Sequence, residues 1–151
     1  MQHQQQPYTL LDLKEVLRHS GIFADHKEEL GPFYSQQFQH AVELWQNGQY
    51  ADALPVFDSI YKVNPHFFVH RFIRMVDRLP TVGPEALLAE LASIDVQLFP
   101  ERMDRFLFHF LKAGLYFMLL DIEDCIASCK EAIALIVDVA PVYIMLGDCY
   151  A

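Results

Sequence analysis

Apolar residues recur along this chain at intervals of three and four, and the strict alternation of a half-buried strand is scarce. Leu10, Leu13, Val16 and Leu17 form one stripe. Thr9, with Asp12 three residues on, reads as its N-cap, and Ser20-Gly21 supplies a stop, so the spacing predicts a helix over 10–19. A polar connector, "ADHKEELGP", leads to a boundary at Gly31-Pro32. Helical spacing then continues to the last residue, and the pattern predicts an all-α fold.

From Phe33 onward the chain repeats itself. Gly48 and Gly83 are 35 residues apart, as are Pro65 and Pro100, a period that belongs to arrays of paired helices. In "FQHAVELWQNGQYADALPVFDSIYKVNP", small Ala41 and large Leu44 precede a corner at Gly48, and Tyr50, the Ala53/Phe57 pair and Pro65 follow it. "YIMLGDCY" repeats the first half with Tyr143, Leu146, Gly147 and Tyr150. The stretch 109–135 keeps Ala113, Tyr116, Cys125, Cys129 and Ala132 at matching offsets. The stretch 72–100 keeps the corner and the final proline but sets Leu88 and Asp95 where small residues are usual.

These positions resemble the tetratricopeptide repeat, W-x2-L-G-x2-Y…A-x3-F…P, in which small residues let paired helices touch and glycine makes the turn between them. The expectation is a tetratricopeptide-repeat-like α-solenoid of antiparallel helix pairs with an extra N-terminal helix. Its parts are a disordered polar tail (1–8), a helix and connector (9–32) and a repeat domain (33–151). The domain divides at about 33–66, 67–101, 102–138 and a half repeat, 139–151. One unit cannot bury its own apolar face, so the units must stack. Pro55 falls a turn into the second helix of the first unit, where it removes an N–H, and implies that this helix starts late.

Composition narrows the function. With 151 residues, 53% hydrophobic and 21% charged, the chain is long enough for one domain with a real core. A net charge of -9 argues against gripping nucleic acid or an anionic membrane surface. The start, "MQHQQQP", shows neither the basic nor the apolar part of a secretory signal. The most hydrophobic run, "FLFHFLKAGLYFMLL", contains His109 and Lys112 and is shorter than the roughly 20 residues of a spanning helix, so no membrane insertion is expected. Three cysteines, Cys125, Cys129 and Cys149, suit a reducing, cytoplasmic setting better than a secreted disulfide scaffold. At "LGDCYA" the array stops mid-repeat and still apolar. A solenoid usually ends in a capping helix, so either the sequence stops short of its cap or another chain covers that face.

Candidate chemistry is sparse. His66 and His70 share a helix face at a spacing that can hold zinc, but no Glu completes an H-E-x-x-H arrangement and no third ligand stands near. Cys125 and Cys129 show the same spacing at the small/large packing positions of a repeat, where cysteine serves as a small apolar residue. The acidic "DIEDC" opens a helix, where carboxylates complement the N-terminal dipole. There is no GxSxG, Walker loop or GxGxxG. No catalytic residue, metal ligand or cofactor is assigned.

The remaining candidate is the concave face. In this repeat class it is lined by the first helix of each unit, at about the second, fifth, ninth, twelfth and thirteenth positions. That rule selects Phe38, Val42 and Trp45 in the first unit, His70 and Ile73 in the second, and Leu107, Phe110, Phe117 and Met118 in the third. Aromatic residues in such a groove are the types that anchor a peptide or helix, and Met118 suits an adaptable contact. Two arrangements satisfy the pattern: an open partner groove, or one covered by the N-terminal helix or a second copy. A clamp for acidic C-termini would need Lys, Arg and Asn where Phe38, Val42, Ile73 and Leu107 stand.

The layout as a whole, a leading helix, the "HSGIF" break, a polar connector and "FYSQQFQHAVELWQNGQYADALPVFDSIYKVNP", resembles the translocator chaperones of bacterial type III secretion systems over roughly residues 10–135. The unit "RFLFHFLKAGLYFMLLDIEDCIASCKEAIAL" is similar to their third repeat, whereas "VHRFIRMVDRLP" departs from the glycine-rich helix of their second. The resemblance implies a cytoplasmic chaperone without ATPase activity that holds an apolar segment of a secreted partner in its groove. It also implies a leading helix that takes part in homodimerisation through Leu10, Leu13, Val16 and Leu17. A general scaffold or assembly factor in a multiprotein complex would use the same groove.

Overall fold

The structure, a computed structural model, describes Leu13, Lys14 and Val16 together with residues 36–63 and 68–151. Leu10, Leu17, Pro65 and His66 lie outside the described residues. The described regular structure is helical: α1 (Gln36–Gln46), α2 (Tyr50–Val63), α3 (Phe68–Val82), α4 (Pro84–Ala92), α5 (Arg102–Met118), α6 (Ile122–Leu135) and α7 (Ala140–Tyr150). A 3-10 turn, Val96–Leu98, stands between α4 and α5. Each helix packs against its successor, and α3 also meets α5 as α5 meets α7.

Three helix-to-helix corners use the left-handed backbone region, at Gly48 (φ 80), Gly83 (φ 83) and Leu120 (φ 60). At the first, Gln49 N–H donates to the Leu44 carbonyl and Gly48 N–H to that of Trp45, at 2.8 and 3.0 Å. This is the paired pattern that satisfies the orphan carbonyls of a helix end. Asp121 and Leu120 make the same two bonds to Tyr116 and Phe117, at 2.9 and 3.0 Å. The third corner of this kind therefore exists without glycine, on an exposed leucine.

The middle corner differs because of one atom. The residue after Gly83 is Pro84, which has no N–H to donate, so only the bond from Gly83 N–H to the Leu79 carbonyl forms, at 2.9 Å. Pro84 then starts α4 at once, where a missing donor costs nothing. The connection shrinks to Gly83 alone, against residues 47–49 and 119–121 at the other corners. The packing register of α4 moves by one position as a result. Ala53 and Phe57 in α2, and Cys125 and Cys129 in α6, are buried five and nine residues after their corners, whereas α4 buries Leu87 and Leu91. Leu88 is only half-buried, so the large residue at that offset meets no crowding.

Pro55 does not delay α2, contrary to the sequence expectation. The helix begins at Tyr50 with Pro55 inside it. Pro55 is exposed, as is Ala51, whose carbonyl loses its helical donor there. Water reaches that side of the helix, which keeps the loss small.

The core runs continuously from α1 to α7. Its densest part is α5, where Met103, Asp104 and the whole run Phe106–Leu111 are buried. Such all-round burial marks a helix enclosed by neighbours rather than one lying at a surface. Aromatic rings line the contact: Phe72 lies 6.3 Å from Phe110 and Phe68 5.9 Å from Phe108, centroid to centroid.

Candidate functional site

The residues expected to line a concave groove are brought together, but inside the core. Phe38, Ile73 and Leu107 are 0% exposed, Trp45 and Phe110 1%, Met118 3% and Val42 5%. Only His70 and Phe117 are half-buried. An open apolar groove at these positions is therefore corrected: neighbouring elements already cover them. The face of a first helix that repeat spacing points toward solvent is here another packing face. For Leu107 and Phe110 the cause is the enclosure of α5 by α3, α4, α6 and α7.

The chain's own N-terminal stretch joins this core. Leu13 is 1% exposed and belongs to the same core cluster as Phe38, Trp45 and Ile73, with Val16 packed against it. Leu13 and Val16, expected to serve a dimer, are thus engaged within one chain. Lys14 between them lies 3.1 Å from Asp77 of α3 and 5.1 Å from the ring centroid of Tyr50. Tyr50 in turn meets Trp45 edge-on at 4.6 Å. An apolar residue inserted into the core and a cation held between an aromatic face and a carboxylate define how this face receives a helical segment. The Trp45 indole N–H has no hydrogen-bond partner among the described residues.

α3 carries a polar face that links its neighbours. His70 Nε2 is 2.6 Å from Asp58 Oδ1 of α2, and the Arg74 guanidinium takes both oxygens of the same carboxylate, its Nε at 3.1 Å. Arg74 holds the Asp58 carboxyl below the usual carboxylate range, against a smaller opposing effect of burial, and Asp58 raises Arg74 in return. On the other side Arg78 reaches Glu90 of α4 at 3.2 Å, with Arg71 at 4.0 Å. His70, considered above as half of a metal pair, has its Nε2 committed to Asp58; its companion His66 lies outside the described residues.

Two titratable groups are buried in or beside α5. Asp104 is 0% exposed and its Oδ1 accepts from Val69 N–H at 3.2 Å. It thereby caps the N-terminus of α3 from α5. Burial pushes its pKa up to about 7, with the α3 amides of Val69 and Phe68 opposing. Its Oδ2 has no partner among the described residues. Burial lowers the pKa of His109, whose Nδ1 stands 3.8 Å from Glu131 Oε1. Sequence reasoning missed the Asp104 cap, because its signal is an acid whose target amides lie 35 residues away. It also missed the α3 ion pairs. The run of His70, Arg71, Arg74, Asp77 and Arg78 was their visible half.

Among the described residues no helix is long and apolar enough to cross a membrane. Comparison with protein-family models, curated proteins and solved structures found no match to the chain.

Proposed function

We propose that this chain is a cytoplasmic, non-catalytic protein-binding module, a tetratricopeptide-like solenoid that holds an apolar helical segment of a secreted partner. This is the role of the type III secretion translocator chaperones its sequence resembles. Support for the solenoid comes from the corners at Gly48, Gly83 and Leu120, the buried pairs Ala53/Phe57 and Cys125/Cys129, and the contacts of α3 with α5 and of α5 with α7.

The observation that carries the binding reading is the Leu13–Val16 stretch. A face that already accepts a buried leucine and a lysine set between Tyr50 and Asp77 is chemically suited to a second segment of the same kind. A partner segment would present an apolar anchor followed by a basic residue and would exchange with the chain's own stretch.

The test uses full-length protein carrying Leu13→Asp or Lys14→Glu, checked for helix content, and a synthetic peptide of residues 10–19. Binding is read from the emission of Trp45, the single tryptophan. A saturable change is expected with both variants, a weaker one with the wild type, and none when the peptide itself carries Leu13→Asp. Absence of binding to either folded variant removes the reading.

A further inference from the structure

We propose that Cys125 and Cys149 form a thiol–disulfide exchange site, in which a low-molecular-weight disulfide oxidises the two thiols to a bond that ties α7 to α6. All three cysteines of the chain meet where these helices pack. Cys125 and Cys129 are 0% exposed, and Cys149, near the end of α7, is half-buried. The Cys125 and Cys149 sulfurs stand 3.2 Å apart as free thiols. A disulfide is about 2.05 Å long, so closure asks for a movement of roughly 1 Å.

Geometry sets Cys125 with Cys149 rather than with Cys129. Cys125 and Cys129 are one turn apart on the same helix, where Cβ atoms lie about 5–6 Å from each other. A disulfide needs about 3.5–4.5 Å. Cys129 therefore cannot take Cys125 while α6 stays helical, whereas Cys149 approaches from another helix. Metal binding is the weaker use of the cluster, since no three His, Cys, Asp or Glu side chains among the described residues are arranged to hold an ion.

The reaction balances without further reagents. Cys149, the thiol that solvent reaches, attacks one sulfur of the small disulfide as its thiolate, forms a mixed disulfide and expels one small thiol. Cys125 then gives up its proton and attacks the Cys149 sulfur, releasing the second small thiol. One disulfide is reduced and two protein thiols are oxidised. Contact with Cys129, burial and the Cys149 sulfur push the Cys125 thiol up, and Cys125 lowers Cys129 in return; attack by Cys125 as its thiolate is therefore favoured by rising pH. The segment between the two cysteines becomes a closed loop, and the last helix loses its freedom to separate.

Full-length reduced protein is incubated with oxidised glutathione, unfolded in guanidinium, alkylated with N-ethylmaleimide and mapped by mass spectrometry. The expected product is a monomer that is lighter by two hydrogens before alkylation and is then alkylated on Cys129 alone; dithiothreitol added before the alkylation restores all three thiols. Cys149→Ser is expected to leave both Cys125 and Cys129 alkylated. A wild-type product that retains glutathione on Cys149 after prolonged incubation at alkaline pH, or that is alkylated on Cys125, overturns the proposal without recourse to any variant.

Discussion

Asp104→Asn isolates a buried charge whose cost can be worked out. Asp104 is fully enclosed, caps α3 through Val69 N–H at 3.2 Å, and has its pKa raised from 3.8 to about 7. The folded state thus holds this proton more tightly than the unfolded chain does. The associated stability is fully present below about pH 4 and is lost as the pH rises through about 7. From pH 5 to about pH 7 the native group keeps a proton that the unfolded chain has already lost, about two units at 1.36 kcal/mol each, so by pH 8.5 the wild type has lost roughly 2–3 kcal/mol at this site. Asparagine keeps an acceptor for the Val69 amide and carries no charge at any pH. The assay is equilibrium urea unfolding at both pH values, followed by the emission of buried Trp45. Comparison with the variant cancels other groups, including His109, whose lowered pKa works in the opposite sense. Asp104→Asn is expected to gain about 2–3 kcal/mol on the wild type between pH 5 and pH 8.5. A difference that stays flat with pH would refute the claim that an ionised Asp104 is the cost.

Two further predictions rest on local geometry. Leu120 holds a left-handed conformation with its side chain 62% exposed, so Leu120→Gly removes strain without emptying the core. It should stabilise the protein by about 1 kcal/mol, and Gly48→Ala at the equivalent corner should cost a similar amount, both read from thermal midpoints. A double-mutant cycle on Asp58 and Arg74 should give a coupling of no more than about 1 kcal/mol, because both side chains remain over a third exposed and solvent screens the pair. That coupling should shrink in high salt and on acidification, since a carboxylate with a lowered pKa contributes above its unfolded value and loses that contribution as the pH falls through the folded one.

How much was legible in the sequence depended on whether a feature is local. Gly48 and Gly83 announced their corners because few other residues enter the left-handed region. Leu120 carried no such mark and could be placed only by counting from the repeat. Ala53/Phe57 and Cys125/Cys129 were readable as packing pairs, while Leu87 and Leu91 were not, because a missing N–H on Pro84 shifted the register by one. The apolar faces of α1, α3 and α5 were visible, and the expected groove residues Phe38, Trp45 and Phe110 do cluster. Periodicity reports that a face is apolar and says nothing of what lies against it, which is why a groove, open or covered, was expected where a core exists. The same limit hid the Asp104 cap and the partners of the α3 charges. Each depends on a second helix whose approach is set by tertiary packing.

The enclosure of α5 sets how this chain comes apart. Where the contacts between stacked units are small, the ends of an array can fray while the middle holds. Here one helix serves α3, α4, α6 and α7 at once. Withdrawing any of the four strips cover from a run of phenylalanines and leucines. The units are modular in their spelling, yet melting should be a single cooperative event. A fragment that stops before Arg102 lacks the helix its own second hairpin was built around.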